Sequence, residues 1–458
     1  MIRILSHLKA NLVKHIILPV ISITILTCNF QPVKAEPLDI NAQSAILIDA
    51  KTGQVLYEHN AHEKVYPAST TKIMTAVLAL ERGDLSKTMT ASLSAVNDIG
   101  KDGMNIGLIA GEEVRLDNLL NALMIRSANE TANIIAENIS STRAEFIALM
   151  NKRAAELGAT NTNFVNPCGK DSAKEDINHL STASDMAKIA RHAMSIPKFR
   201  EIVSTKFFSM PASNKHPETF WPVYASTNKL LMLNKYKSTQ FTVTGIKTGY
   251  TDKAGNNLVS AAKGSDGMEL ISVVFGVKNA PPDSVFEYSK TLLEYGFKNY
   301  ALQKVVDSNQ LVKNVPVADA ANNATLDLVT AQELFCALPT DKSSWNIVSK
   351  EQIKTDFTAP VHQGDVMGYI EYERNGISLG KVDIVASTSI EKSFQAKSLS
   401  RAKEATRSHL LRLVIIMAGI IPVLFFILRR NLRKTSRYIN SRRIEGRFIK
   451  SLFQNFRK

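Results

Sequence analysis

Three short motifs, which occur in a fixed order, could together perform acyl transfer through a serine. They are Ser69-Thr-Thr-Lys72, Ser127-Ala-Asn129 and Lys247-Thr248-Gly249. A serine hydroxyl is a nucleophile, and a lysine desolvated by apolar neighbours can serve as its base. No motif is specific alone, because the S-x-x-K spacing recurs elsewhere and a second K-T-G begins at Lys51. The order, the spacing and the flanking residues therefore carry the prediction.

Ser69 is predicted to stand at or near the start of a helix. Pro67 precedes it, and the Ala/Leu/Met-rich run that follows ends at Gly83, a residue typical of helix C-termini. Free N–H groups and the positive end of the helix dipole would favour a developing oxyanion there. Residues three apart share a helix face, so Lys72 would lie one turn from the hydroxyl. A lone S-x-x-K is more often a surface serine beside a solvated lysine, but the apolar run after Lys72 favours the catalytic interpretation.

The second motif falls between two predicted amphipathic helices, residues 116–124 and a helix that includes 132–136. At such a junction, side chains can point into a cleft rather than along a helix face. Ser127 could then relay a proton to a leaving amine, and the Asn129 amide could orient Lys72 and a substrate amide. Taken alone, the same residues could equally form a plain interhelix turn.

The third motif lies in a predicted strand, residues 242–251, which is rich in Thr, Val and Ile. Gly249 would let a substrate backbone approach closely, and Lys247 would place positive charge beside the serine and a substrate carboxylate. An ordinary strand with a solvated lysine is the alternative. The other K-T-G, Lys51-Thr52-Gly53, joins two strand-like segments and is predicted to be a structural hairpin turn.

With these motifs the chain resembles the serine D-alanyl-D-alanine carboxypeptidases, the low-molecular-mass penicillin-binding proteins. The resemblance covers about residues 40–300 and includes Tyr66-Pro-Ala-Ser-Thr-Thr-Lys, Thr227-Asn-Lys-Leu-Leu and Gly245-Ile-Lys-Thr-Gly-Tyr-Thr. It implies that Ser69 is the nucleophile and Lys72 the base for acylation. The other implied roles are proton transfer and peptide orientation by Ser127 and Asn129, binding of the terminal carboxylate by Lys247 and Thr248 beside Gly249, and an oxyanion hole formed by the N–H groups of Ser69 and Tyr250.

The implied fold is the penicillin-recognising α/β fold, an antiparallel sheet flanked by helices with a helical subdomain. The implied reaction removes the terminal D-alanine from peptidoglycan stem pentapeptides through an acyl-enzyme at Ser69, which β-lactam antibiotics would trap. Three alternatives remain open: a D,D-endopeptidase, a serine β-lactamase, and a catalytically weak peptidoglycan-binding scaffold. The β-lactamase is disfavoured because no clear Glu-x-x-Leu-Asn run supplies a deacylating carboxylate.

Two departures from the family pattern concern the predicted cleft. Where relatives usually read Asn-Pro-His-Gly-Leu, this chain reads Asn166-Pro-Cys-Gly-Lys170, so Cys168 replaces a polar ring. Where relatives commonly carry an arginine that binds the substrate carboxylate, this chain has Val285, and Lys278 is the candidate replacement. These departures bear on rate and substrate preference, and they motivate the scaffold alternative.

The two ends of the chain predict export and membrane attachment. An apolar run behind three basic residues, followed by Val33-Lys-Ala35, predicts a signal peptide over residues 1–35. Residues 410–428 are apolar except for Arg412 and would span about 28 Å, enough for the core of a bilayer. The tail 429–458 carries eleven basic residues against Glu445, which places it in the cytoplasm and the catalytic region outside.

Between these ends we predict a catalytic domain at 36–300, a small all-β domain at 301–392 and a membrane-proximal linker at 393–409. The formal net charge of +14 comes from the targeting and anchoring segments, and the rest is close to neutral, so a nucleic-acid partner is not supported. Cys168 and Cys336 fall in different domains, and a disulfide between them is not expected. No H-E-x-x-H or clustered Cys/His spacing occurs, so neither a metal nor another cofactor is predicted.

Overall fold

The structure is a computed structural model that describes residues 38–99, 103–171 and 176–455. The predicted signal peptide lies outside the described residues. By its internal contacts the chain divides into two compact units, Met1–Asn299 and Tyr300–Lys458.

The first unit contains nine strands and nine α-helices among its described residues. The strands are β1 (Ser44–Asp49), β2 (Val55–His59), β3 (Thr88–Thr90), β4 (Glu113–Arg115), β5 (Phe207–Phe208), β6 (Tyr224–Ala225), β7 (Phe241–Thr251), β8 (Gly255–Gly264) and β9 (Glu269–Val277). The helices are α1 (Lys72–Arg82), α2 (Leu93–Asn97), α3 (Leu116–Asn121), α4 (Asn129–Ile139), α5 (Arg143–Glu156), α6 (Ala183–Ser195), α7 (Pro197–Ser204), α8 (Lys229–Met232) and α9 (Ser284–Asn299).

The central sheet is antiparallel, in the order β2-β1-β9-β8-β7, with helices against both faces. Strand β9 explains why helices cover both faces of the sheet, because successive side chains of a strand point to opposite faces. Ile271 and Val273 join the main hydrophobic core, whereas Ser272 Oγ lies 2.7 Å from Ser289 Oγ in α9. Both faces of β9 are buried, so its sequence is a nearly continuous apolar run. The predicted antiparallel sheet flanked by helices is confirmed.

Helix α1 lies at the centre of the helical part of this unit. Its residues 73–79 are buried all round, and it packs against α4, α5 and α6. A helix that is apolar on every side has to be surrounded by other elements. Lys72 is the first residue of α1, so the packing of this helix places the lysine in the interior of the unit.

The predicted junction between two helices at the second motif is confirmed, and a π-helical segment extends the first of the two helices. Helix α3 continues as one π-helical segment, Ala122–Arg126, which ends at Ser127, and α4 begins at Asn129. Ser127 adopts the left-handed conformation (φ 67°, ψ 26°), which reverses the chain at that residue. The turn places Ser127 and Asn129 on the same side, toward the first motif.

The second K-T-G forms the turn between β1 and β2, which confirms its predicted structural use. The buried Asp49 carboxylate accepts hydrogen bonds from the Thr52 N–H and hydroxyl, both at 2.7 Å. The Arg191 guanidinium donates to the Lys51 carbonyl at 2.8 Å. The side chains of this motif and their partners therefore serve the turn itself.

The second unit contains a β domain, as predicted. Its strands are β10 (Tyr300–Val306), β11 (Leu311–Pro316), β12 (Thr325–Thr330), β13 (Leu334–Pro339), β14 (Ile347–Ile353), β15 (Val366–Arg374) and β16 (Ile377–Ala386). One sheet has the order β11-β12-β16-β15-β14, and β10 pairs with β13. Two hydrophobic clusters lie against these sheets, one centred on Leu326, Leu328 and Ile384 and one on Leu338 and Val382.

A single helix, α10 (Phe394–Asn455), follows the β domain. Residues 394–409 of the predicted linker and all of the predicted span 410–428 are parts of this helix, which continues through Pro422. Within the described residues, its segment Phe394–Arg430 is the one helix long and apolar enough to cross a membrane, judged by length and composition. Its apolar side chains from Leu410 to Leu428 are exposed in the protein alone, and the lipid of a bilayer would cover them.

Candidate active site

The three motifs lie around one cleft of about 720 Å³ in the first unit. Ser69 is in a 3₁₀ turn, Ala68–Thr71, that leads directly into α1. Ala68 adopts a left-handed conformation (φ 49°), which is uncommon for a residue with a side chain and stands immediately before the serine. The described lining of the cleft includes Ser69, Ile99, Met104, Ser127, Asn129, Gly169, Lys170, Thr227, Thr248, Gly249, Tyr250, Asp252, Asn256, Val285 and Phe286.

Lys72 contacts three oxygen atoms from three different segments. Its Nζ lies 2.9 Å from Ser69 Oγ, 2.7 Å from Asn129 Oδ1 and 2.7 Å from the Cys168 carbonyl oxygen. The side chain is fully buried, and this desolvation lowers the lysine pKa from 10.5 to about 8. A substantial fraction of Lys72 would therefore be neutral at moderately alkaline pH.

The three contacts also fix where the lone pair of a neutral Lys72 would point. Two of the acceptors, Asn129 Oδ1 and the Cys168 carbonyl, cannot donate, so each requires one of the N–H bonds of the amine. The Ser69 hydroxyl is the partner that can donate. The neutral amine therefore directs its lone pair at the serine proton, which is the arrangement that a general base needs.

Asn129 is held at both ends of its side-chain amide. Oδ1 accepts from Lys72, and Nδ2 donates to the Ile99 carbonyl at 2.8 Å. Its backbone N–H donates to the Met104 carbonyl at 2.7 Å. Ser127 is nearly buried yet lines the cleft. The junction between α3 and α4 therefore supplies a fixed amide and a hydroxyl beside the serine.

The third motif lies on β7, the edge strand of the sheet next to the cleft. A Cβ atom on Gly249 would lie 3.0 Å from the Ser69 nitrogen, so the absence of a side chain keeps that N–H accessible. Thr248 Oγ1 lies 2.7 Å from Thr227 Oγ1, and the two hydroxyls line the cleft together. Tyr250 is 61 % exposed, and its hydroxyl donates to Asp252 Oδ1 at 3.0 Å.

Lys247 is buried rather than solvated. Its Nζ donates to the Thr248 carbonyl at 2.9 Å. Desolvation, followed by the positive charge of Lys72, holds the lysine pKa well below its usual range. Two lysines buried close together in one site oppose each other's protonation, as like charges do.

Hydrogen bonds connect the loop that supplies the Cys168 carbonyl to α1 and to the turn Ala68–Thr71, called the serine turn below. Thr75 Oγ1 donates to the Pro167 carbonyl at 2.6 Å. His179 Nδ1 accepts from the Val165 N–H at 3.0 Å, so the ring proton is on Nε2, which lies 2.8 Å from Thr71 Oγ1. Burial lowers the His179 pKa to about 4, so this histidine is a neutral link between the loop and the turn.

Sequence reasoning did not find the Cys168 carbonyl, the Thr227 hydroxyl or the anchoring histidine. A backbone carbonyl carries no signal in the residue type, and Thr227 was noted only as part of a motif of the family. The Cys168 thiol is buried with its Sγ 3.5 Å from Asn166 Oδ1, and burial raises its pKa. Lys278 lies outside the described lining of the cleft, which includes Val285.

Comparison with known proteins decides the family. Residues 31–279 match the family model of the D-alanyl-D-alanine carboxypeptidases. The chain belongs to this family. Residues 300–392 match the model of the C-terminal domain of penicillin-binding protein 5, which agrees with the β domain of the second unit. Membership makes the chain a D-alanyl-D-alanine carboxypeptidase, a hydrolase, as the sequence resemblance predicted.

Individual relatives cover most of the chain. The carboxypeptidase DacF of Bacillus subtilis is 31% identical over 77% of this chain and 86% of its own length. DacA of Haemophilus influenzae is 31% identical over 76% of this chain and 85% of its own length. The crystal structure of penicillin-binding protein 5 from Haemophilus influenzae superposes with a TM-score of 0.61 at 29% identity and covers 78% of this chain and all of that one.

The geometry predicts that replacing Cys168 by Ala leaves acylation nearly unchanged, within about threefold. The group that contacts Lys72 is the backbone carbonyl, which the substitution retains. Removal of one buried sulfur should cost about 1 kcal/mol of unfolding free energy. The labelling rate with a fluorescent penicillin and the melting temperature test this. A loss of labelling at unchanged melting temperature would show that the thiol itself takes part.

Proposed function

We propose that the chain is a serine-type enzyme that releases the terminal D-alanine of peptidoglycan stem pentapeptides through an acyl-enzyme at Ser69. The observation that carries the proposal is the buried Lys72 amine, 2.9 Å from Ser69 Oγ, with its two other contacts made to pure acceptors. This arrangement supports a neutral lysine that accepts the serine proton and needs no histidine. The comparisons favour none of the alternatives.

In the proposed acylation, Ser69 Oγ attacks the carbonyl carbon of the penultimate D-alanine while its proton passes to Lys72 Nζ. The oxyanion of the tetrahedral intermediate would accept from the N–H groups of Ser69 and Tyr250. Collapse breaks the peptide C–N bond, and the proton moves from Lys72 through the Ser127 hydroxyl to the leaving amine. Water then hydrolyses the ester by the same proton route in reverse. The released D-alanine and the shortened peptide balance the reaction.

The other site residues would bind and orient the substrate. Asn129 is held by Lys72 and the Ile99 carbonyl and would orient the substrate amide. Lys247 and Thr248, with the Thr227 hydroxyl beside them, would hold the terminal carboxylate. Gly249 would let the peptide backbone lie against β7 as an added strand. β-Lactam antibiotics would acylate the same serine and remain bound.

We also propose that the enzyme is exported and held in the cytoplasmic membrane. Residues 1–35 would be a cleaved signal peptide, 36–300 the catalytic domain and 301–392 a small β domain. In this proposal 393–409 is the membrane-proximal part of α10, 410–428 spans the bilayer and 429–458 is a cytoplasmic tail. The apolar stretch of α10 and the basic residues that follow it support this orientation.

The test uses the full-length chain in detergent. It is incubated with a fluorescent penicillin and, separately, with diacetyl-Lys-D-Ala-D-Ala, with released D-alanine assayed, and the adduct is located by peptide mass spectrometry. We expect an adduct on the peptide that contains Ser69, D-alanine release, and no release from the control peptide that ends in L-Ala-D-Ala. Labelling without release would favour the endopeptidase or the scaffold. A folded protein that gives neither result would contradict the proposal.

A further inference from the structure

A second hollow, of about 540 Å³, adjoins the catalytic cleft. It is bounded by the turn between β7 and β8 and by the segment that joins β9 to α9. Tyr250, Asp252 and Asn256 line both the hollow and the cleft, so the two are continuous past these residues. No residue of the three catalytic motifs lines the hollow. Tyr250, which follows the third motif, does. The proposed mechanism therefore leaves this hollow without a role.

The hollow contains one cationic side chain, Lys278, and one anionic side chain, Asp252, and the two do not form an ion pair with each other. Lys278 is exposed, and in the described part of the chain it has no carboxylate within the 4.0 Å of an ion pair. Its aliphatic stem lies over Gly255, since Lys278 Cγ is 2.7 Å from where a Cβ on that glycine would be. Asp252 accepts from the Tyr250 hydroxyl, and no lysine or arginine of the described residues pairs with it. The two charges are therefore available to a ligand.

The direction of β7 determines which part of a substrate would reach the hollow. In the proposed function, the terminal carboxylate lies at Lys247 and Thr248, and the scissile carbonyl lies at the Tyr250 N–H. A peptide extended between these points runs antiparallel to β7. The residue before the D-alanyl-D-alanine pair then lies about 3.4 Å further along, toward Thr251 and Asp252. A long side chain on that residue can enter the hollow.

We propose that this hollow is a binding subsite for the side chain that precedes the D-alanyl-D-alanine pair, and that it selects a side chain carrying both an ammonium and a carboxylate group. The inference rests on the proposed function, because it uses the substrate direction defined there. Asp252 would accept from the ammonium group, Lys278 would pair with the carboxylate, and Asn256 would complete the polar lining. A diaminopimelyl residue has such a side chain. A lysyl residue supplies only the ammonium.

The test is a comparison of four peptides that end in D-Ala-D-Ala, assayed for D-alanine release by the full-length chain in detergent. Their preceding residue is diaminopimelyl, 2-aminopimelyl (carboxylate only), lysyl (ammonium only) or Nε-acetyl-lysyl (uncharged), each acetylated at Nα. Each exposed ion pair should raise kcat/KM about two- to fivefold over the uncharged peptide. The diaminopimelyl peptide should therefore be favoured about tenfold, and 0.5 M salt should reduce the preference.

Variants assign the two charges. Lys278→Met should remove the advantage of the peptides with a carboxylate, and Asp252→Asn should remove the advantage of those with an ammonium. Lys263→Met, which removes an exposed lysine of β8 that lines neither cavity, should leave the preferences unchanged. Equal kcat/KM for all four peptides, or the same effect of Lys278→Met and Lys263→Met, would overturn the subsite while the proposed function stands. No D-alanine release from any peptide would overturn both.

Discussion

Replacing Lys72 by Met is expected to lower the rate of acylation by a fluorescent penicillin about a thousandfold. Methionine has a similar length and suits a buried position, but it cannot accept the Ser69 proton. Loss of a positioned general base typically costs two to four orders of magnitude. Ser69→Ala, which lacks the attacking oxygen, sets the zero level in the same assay. The second-order rate constant for labelling is the measurement.

The same argument predicts how acylation depends on pH. The base is the neutral form of Lys72, and burial lowers the lysine pKa to about 8. The acylation rate should therefore rise about tenfold per pH unit below pH 8 and level off above it. The buried neighbours whose titration could contribute are Lys247, Glu130, Cys168 and His179. A flat profile between pH 6 and pH 9, or acylation by Lys72→Met within tenfold of the wild type, would contradict a lysine base.

Loss of structure has to be separated from loss of chemistry in this variant. Lys72→Met leaves the Asn129 and Cys168 oxygens without their shared donor, and an unsatisfied buried acceptor costs about 1–3 kcal/mol. The melting temperature of Lys72→Met should therefore fall somewhat, whereas that of Ser69→Ala should not. A Lys72→Met protein that is folded at the assay temperature and does not acylate would support the proposed role.

The sequence predicted the parts of the site that depend on residue type and local spacing. Strand β7, the junction at Ser127 and the helix after Ser69 each follow from a pattern within one continuous stretch of the chain. The second K-T-G was separated from the first because its flanking segments were strand-like and adjacent. Local patterns of this kind allow prediction because they show which residues of a short element are buried.

The parts that escaped prediction depend on contacts between distant segments. The third partner of Lys72 is a backbone carbonyl 96 residues away, and any residue type could supply it. The link between His179 and Thr71 joins residues 108 apart. Strand β14 has no alternating apolar pattern from which it could be predicted, because most of its residues are exposed and polar. In each case the information lies in the packing of whole elements.

Cys168 shows how such packing changes the meaning of a departure from a family motif. From the sequence, the loss of a polar ring near the cleft suggested weaker catalysis. In the structure, the side chain at this position is buried, and its backbone carbonyl is the group that contacts Lys72. The loop therefore has to keep its backbone in this position against the serine turn. Gly169, the next residue, is where that requirement is most severe.

Gly169→Ala is expected to lower acylation at least a hundredfold and to destabilise the catalytic domain by about 3 kcal/mol or more. Gly169 has a φ of 79°, and a Cβ there would lie 1.8 Å from the Ala68 carbonyl oxygen. That atom is backbone, so either the loop that carries the Cys168 carbonyl or the serine turn must move. A displacement of about 1 Å in a catalytic arrangement can cost a hundredfold in rate.

Gly158→Ala is the matched control, because Gly158 has nearly the same φ, 76°, with no atom within 4 Å of a Cβ placed on it. That variant should lose about 1 kcal/mol from the left-handed backbone alone and should acylate normally. The two variants differ in the steric contact and share the conformational cost. Labelling rates and melting temperatures of both measure the difference. If Gly169→Ala behaves as Gly158→Ala does, the loop tolerates displacement, and the Cys168 carbonyl does not need to be held against Lys72.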